Sequence, residues 1–82
     1  MAVVHLSLEQ RRFTDGAAEV EVEASNVKQL IAKLEQQFSG IGAILEDSAV
    51  AINGEIVNDP AYERIPAGAE IYFVTKAAGA HP

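Results

Sequence analysis

Two histidines, His5 and His81, are the first residues to weigh for metal or proton-transfer chemistry. Neither has a second ligand at helical or turn spacing, so no metal site is expected, and His5 reads as a solvent-face strand residue. Cysteine is absent, which removes disulfides, thiolate metal ligands, a cysteine nucleophile and thiol redox work. Ser, Thr and Asp occur without the elbow motif that presents a serine nucleophile. The acidic pair Glu46-Asp47 reads as a solvated helix end, and the glycines are scattered at turns rather than gathered into a phosphate-cradling loop. Arg11 and Arg12 beside Phe13 could touch a small anion, although a mobile hairpin tip is the plainer account. No self-contained catalytic set and no cofactor motif is present. The domain is therefore expected to be a carrier or binding protein, at most a non-catalytic subunit of an enzyme complex.

A chain of 82 residues is one small domain. Such a domain buries only about 60% or slightly more of its unfolded surface, which leaves little room for a deep cleft. It is 49% hydrophobic and 22% charged, a globular composition. Six basic residues stand against twelve acidic ones, a formal charge of −6. That balance argues against binding nucleic acid, and it suits a partner with a basic surface. No window approaches the roughly 18 apolar residues of a membrane span. The start, Met1 to Leu6, lacks a signal-peptide pattern. A cytoplasmic protein, monomeric when isolated, is the expectation.

Residues 3–8 read as a first strand, with Val4, Leu6 and Leu8 on one face and Val3, His5 and Ser7 on the other. Arg11 to Gly16 is polar and ends in the turn pair Asp15-Gly16. Glu19 to Glu23 alternates without a break, as a half-buried strand does, and completes an antiparallel hairpin. Asn26 is a good helix N-cap with Gln29 three residues on, a capping-box spacing. Val27, Leu30, Ile31, Leu34 and Phe38 follow as one helical stripe, and Gly40 closes the helix or lies just beyond its end. Ile41 to Asp47 fits a short second helical turn. Ala49 to Ile52 is a strand, Asn53-Gly54 a hairpin turn, and Glu55 to Val57 the brief return. Ala61 to Ile65 reads as a single helical turn, Pro66 to Gly68 as another turn, and Glu70 to Thr75 as the most β-prone strand of the chain. The folded domain should span residues 1–76 and a flexible tail residues 77–82.

This order, with the most apolar strand placed mid-sheet and parallel to the first, gives an α+β fold. It is a mixed sheet of four or five strands with one main helix packed across one face. That is the β-grasp, or ubiquitin-like, arrangement. A ferredoxin-like fold would want a second full-length helix.

Several stretches add a family resemblance. They are Asn26-Val27-Lys28-Gln29-Leu30-Ile31 at the helix start, Val50 to Val57 around Asn53-Gly54-Glu55, and Ile65-Pro66-Ala67-Gly68-Ala69-Glu70-Ile71 before the last strand. In order and spacing the chain resembles the MoaD/ThiS family of ubiquitin-like sulfur carriers over nearly its whole length. Its length and the segment after the main helix look most like the small subunit of molybdopterin synthase. The resemblance implies sulfur transfer through the C-terminal tail toward molybdopterin or a related cofactor. It also implies a partner: an E1-like adenylating enzyme of the ThiF/MoeB type, a larger synthase subunit, or both.

Family members end in Gly-Gly, and this chain ends Ala77-Ala78-Gly79-Ala80-His81-Pro82. Two readings stay open. Trimming after Gly79 would leave that residue's carboxylate for thiocarboxylate chemistry; alternatively the domain is a non-catalytic β-grasp binding module that has lost this chemistry. In either case Val3, His5, Tyr72 and Val74 should project together from the outer sheet face, rimmed by Glu19, Glu21 and Glu23. With Lys76, Ala77 and Ala78 they form the expected partner-binding surface.

Overall fold

The structure, a computed structural model, describes residues 1–58 and 60–75. Among them the sheet has five strands: β1 (Ala2–His5), β2 (Glu19–Val22), β3 (Ser48–Ile52), β4 (Glu55–Val57) and β5 (Glu70–Thr75), in the spatial order β2-β1-β5-β3-β4. The β1–β5 pair is parallel and the other pairs are antiparallel. Helix α1 (Val27–Gln37) and the short α2 (Ile41–Glu46) lie between β2 and β3 in sequence. This is the β-grasp architecture expected from the pattern, with the most apolar strand at its centre. Strand β5 lies between β1, paired along Glu70–Tyr72, and β3, paired along Ile71–Thr75, so its continuous apolar run is not at an edge of the sheet.

The helix stripe and the inner sheet face make one core. Val27, Leu30 and Leu34 are buried with Val4, Leu6, Val22, Val50, Ile52, Ile71 and Phe73, while Ile31 and Phe38 pack against the margin. Asn26 caps α1 as its type requires, its Oδ1 accepting the Gln29 N–H at 2.8 Å. Gln29 reaches back one residue further than a capping box does. Its Oε1 accepts from the Ser25 N–H at 2.7 Å. The α1–α2 junction turns at Gly40, whose φ of 98° is left-handed, and Glu35 folds over it to accept the N–H groups of Gly40 and Gly42 at 2.8 and 2.7 Å. Asn53 and Gly54 both have positive φ, 51° and 90°, the type I′ geometry whose twist suits a two-residue hairpin.

Three expectations need correction. The first strand does not run to residue 8: β1 ends at His5, and Leu8, expected on the inner face, is 79% exposed. Ser7 ends the alternation because its Oγ accepts the Gln10 N–H at 3.3 Å, which starts a turn instead of continuing the strand. The polar tip is not simply a loop: Gln10–Phe13 forms a 3-10 helix, with Arg11 Nε donating to the Leu6 carbonyl at 3.0 Å. Residues 61–65 are not helical. Their backbone serves the start of α1 instead, the Glu63 and Ala61 carbonyls accepting the N–H groups of Val27 at 3.1 Å and Lys28 at 2.8 Å. Those donors have no partner inside the helix, and this segment, a turn closed by the Glu63 N–H donating to the Pro60 carbonyl at 2.8 Å, satisfies them. Arg64 pairs with Asn26 as an isolated bridge.

Candidate functional site

Strand register decides which side chains share the face that the helices leave uncovered. Val3 pairs with Glu21 on one side and Glu70 on the other; His5 pairs likewise with Glu19 and Tyr72. Beyond β5, Tyr72 pairs with Ala51 and Val74 with Ala49, and Ala51 pairs in turn with Ile56. Residues opposite one another across a ladder point to the same side. A single row, Glu19, His5, Tyr72, Ala51 and Ile56, therefore crosses the whole outer face. The face is acidic along β2, at Glu19 and Glu21, and at Glu70, the first residue of β5; it is apolar along the rest of β5 and over β3 and β4.

The structure brings together Val3, His5, Tyr72 and Val74, all on this face. The imidazole of His5 stacks on the Tyr72 ring with centroids 4.4 Å apart and planes 9° from parallel. Its Nδ1 lies 3.6 Å from Glu19 Oε2 and its Nε2 lies 3.3 Å from Glu70 Oε1. The Nε2 atom is buried and the Glu70 contact lacks hydrogen-bond alignment. The ring thus lies between two carboxylates while Tyr72 remains 45% exposed. Glu19 and Glu21 flank the patch, as expected from the sequence. Glu23 follows the end of β2, where no β1 residue of the ladder opposes it. Glu70 takes the rim position instead.

Sequence reasoning missed Glu70 and Ile56. Glu70 opens β5, and only the parallel register sets it beside Val3. Ile56 is 62% exposed in a three-residue strand, and the Asn53-Gly54 turn was the signal that could have placed it opposite Ala51. Lys76, Ala77, Ala78 and Gly79 lie outside the described residues. A recess of about 400 Å³ on this side is lined by His5, Ser7, Arg11, Glu19, Tyr72 and Val74 among others. A larger one of about 790 Å³ lies between α1, α2 and Pro60–Tyr62, where Lys28 sits over the Tyr62 ring. Among the described residues no group of three His, Asp, Glu or Cys side chains is placed to hold a metal ion. No described helix is long and apolar enough to cross a membrane.

Comparison with known proteins gives this geometry a lineage. The family model for the ThiS family matches residues 4–79, nearly the entire chain. The chain belongs to the ThiS family of ubiquitin-like sulfur carriers. Among solved structures, this ThiS-family chain is similar to CysO of Mycobacterium tuberculosis, described as an antigen. The TM-score is 0.85 at 20% identity, over 94% of this chain and 100% of that one. It is also similar to a chain of the Amycolatopsis orientalis BexX/CysO complex, with a TM-score of 0.83 at 24% identity, over 98% of this chain and 100% of that one. At these identities the structures establish a shared fold. No curated protein matches the chain.

Proposed function

We propose that this ThiS-family protein carries sulfur as a thiocarboxylate on Gly79 after residues 80–82 are removed, and that it docks on its activating enzyme through the outer sheet face. The observation that carries this reading is the extent of the family match, which begins in β1 and stops at residue 79. Hydrolysis of the Gly79–Ala80 bond would consume one water and free the Gly79 carboxylate. A carboxylate oxygen then attacks the α-phosphorus of ATP on the partner enzyme and pyrophosphate leaves. Hydrosulfide, the sulfur source of this step, next attacks the acyl carbon; the bond to AMP breaks and AMP leaves with its electron pair, the S–H proton is released, and the thiocarboxylate is the product. Glycine suits the reacting position because it can adopt any backbone angle in a narrow channel. Pro82, with its fixed φ, does not.

The docking reading rests on charge and shape. The partner surface that complements this face carries arginine or lysine opposite Glu19, Glu21 and Glu70, and a small apolar projection opposite Tyr72, Val74 and Ile56. An adenylating enzyme of the ThiF/MoeB type is the proposed partner. Support in kind comes from the similar CysO fold that assembles with BexX. Delivery toward molybdopterin rests on the helical segment after α1. CysO matches the same fold over its full length, so that segment does not by itself select the product.

A second reading, a binding module without acyl chemistry, is favoured by one feature: the chain has no Gly-Gly. Pyrophosphate exchange with the host's ThiF/MoeB-type enzyme separates the two. Full-length protein, a form ending at Gly79 and a form engineered to end in Gly-Gly are compared, alongside the intact mass of protein from the native host. The carrier reading expects the Gly79 form to exceed the full-length chain and the native mass to show trimming or an oxygen-for-sulfur exchange. Adenylation of the full-length chain as fast as the Gly-Gly form refutes the trimming argument. A Gly-Gly form that stays inert with every activating enzyme of the host leaves the binding module as the answer.

A further inference from the structure

Strand β5 outlasts its partner β1. The parallel register ends at His5 opposite Tyr72, while β5 continues to Thr75 and remains paired with β3 to its end, Thr75 opposite Ser48. The β1–β5 ladder includes the Val3 N–H donating to the Ala69 carbonyl at 2.9 Å. Parallel ladders repeat every second residue. The same step would next set the His5 N–H against the Ile71 carbonyl and then the Ser7 N–H against the Phe73 carbonyl. By Ser7, however, the chain has turned away from the sheet.

Gln10 fills that gap. Its Oε1 accepts the Ser7 N–H at 3.0 Å and its Nε2 donates to the Phe73 carbonyl at 3.4 Å. A side-chain amide offers the same donor and acceptor as a peptide group, so Gln10 splices one extra rung between two diverging strands. Gln10 is only 8% exposed, and its position is fixed by the 3-10 helix it begins. Ser7 Oγ accepts the Gln10 N–H, and the Arg11 N–H donates to the Ser7 carbonyl at 3.0 Å. A buried, doubly bonded amide more than 60 residues away in sequence from its strand partner is a costly arrangement if it serves nothing, because either bond left unmade exposes a desolvation penalty.

We propose that Gln10 is a positioning residue for the C-terminal segment. It holds the β1 side of β5 at Phe73, beyond the Tyr72 end of the β1 ladder, and so fixes the end of the strand from which the reacting carboxylate is presented. This role rests on the carrier reading above. Reaction at Gly79 needs the carboxylate aligned with ATP on the partner, and misplacement by about 1 Å can cost on the order of a hundredfold in rate. Docking through the outer face would be untouched, because Gln10 is not part of that row.

The test uses the form ending at Gly79 with three side chains at position 10: Gln, Gln10→Leu and Gln10→Glu. Pyrophosphate exchange is measured over a range of carrier concentration, and amide hydrogen exchange is followed at Ser7. Gln10→Leu should lower kcat about tenfold or more with KM within about twofold, and should strip protection from the Ser7 N–H. Gln10→Glu keeps the acceptor for Ser7 and loses the donor to Phe73 when ionised. It should therefore keep Ser7 protection yet show the same fall in kcat. Equal kcat for all three forms overturns the role, as does a change confined to KM or a fall in kcat matched only by global unfolding in a denaturant melt. If the unsubstituted form is adenylated by no activating enzyme of the host, the carrier reading is overturned and this role with it; an active unsubstituted form with equally active variants overturns the Gln10 role alone.

Discussion

Replacing Leu34 with alanine tests the core on which every surface described above depends. Leu34 is completely buried in the middle of α1, in the cluster that also holds Leu30, Val4, Val50 and Ile71, each fully buried. The substitution removes a methine and two methyl groups. At about 0.8 kcal/mol per buried carbon, the lost transfer energy alone is about 2.4 kcal/mol. A cavity that does not collapse raises the loss toward about 5 kcal/mol. A domain of this length has roughly 4–12 kcal/mol in total. The variant should therefore lose between a fifth of its stability and all of it. With an m-value of about 1 kcal/mol/M in urea, the midpoint should fall by about 2 M or more. A loss below about 1 kcal/mol at unchanged m would refute the reasoning, since it would mean that the stripe does not face the sheet.

Tyr72→Glu should leave the fold within about 1 kcal/mol of the parent, because the side chain faces outward and the β-propensity scale spans no more. It should weaken binding to the activating enzyme by at least about 2 kcal/mol in a calorimetric titration, and unfolding on substitution would contradict the register. Glu35 accepts the N–H groups of Gly40 and then Gly42, which hold its pKa below the usual glutamate value of 4.5. A depressed pKa contributes stability that is present above the unfolded value and lost as pH falls through the folded one. The stability gap between the parent and Glu35→Gln should thus be open at neutral pH and close in acid below 4.5. Urea melts across that range read it, and a gap independent of pH would count against the double hydrogen bond. Gly54→Ala should destabilise the β3–β4 hairpin by about 1 kcal/mol, because its φ of 90° strains any residue with a Cβ; an unchanged melt would mean the turn can switch type without cost.

What the sequence determined by itself was local. The stripe from Val27 to Phe38, the Asn26 cap and the Asn53-Gly54 turn each depend on a few adjacent residues, and each formed where its chemistry required. The parallel placement of β5 beside β1 was also legible, because a buried, unbroken apolar strand excludes an edge position. Elsewhere the local pattern was overruled, by a competing turn or by partners remote in sequence. Leu8 alternates in phase with Val4 and Leu6, yet the Ser7–Gln10 turn carries it out of the sheet and into solvent. Residues 61–65 have the composition of a helical turn, but the unpaired N–H groups at the start of α1 take their carbonyls instead. Glu70 and Ile56 joined the outer face only through cross-strand register, and Gln10 became a rung of the sheet only because two strands diverge beside it. Periodicity reports which face a residue occupies within its own element; which groups meet across elements depends on where each strand stops, and the tertiary hydrogen bonds decide that.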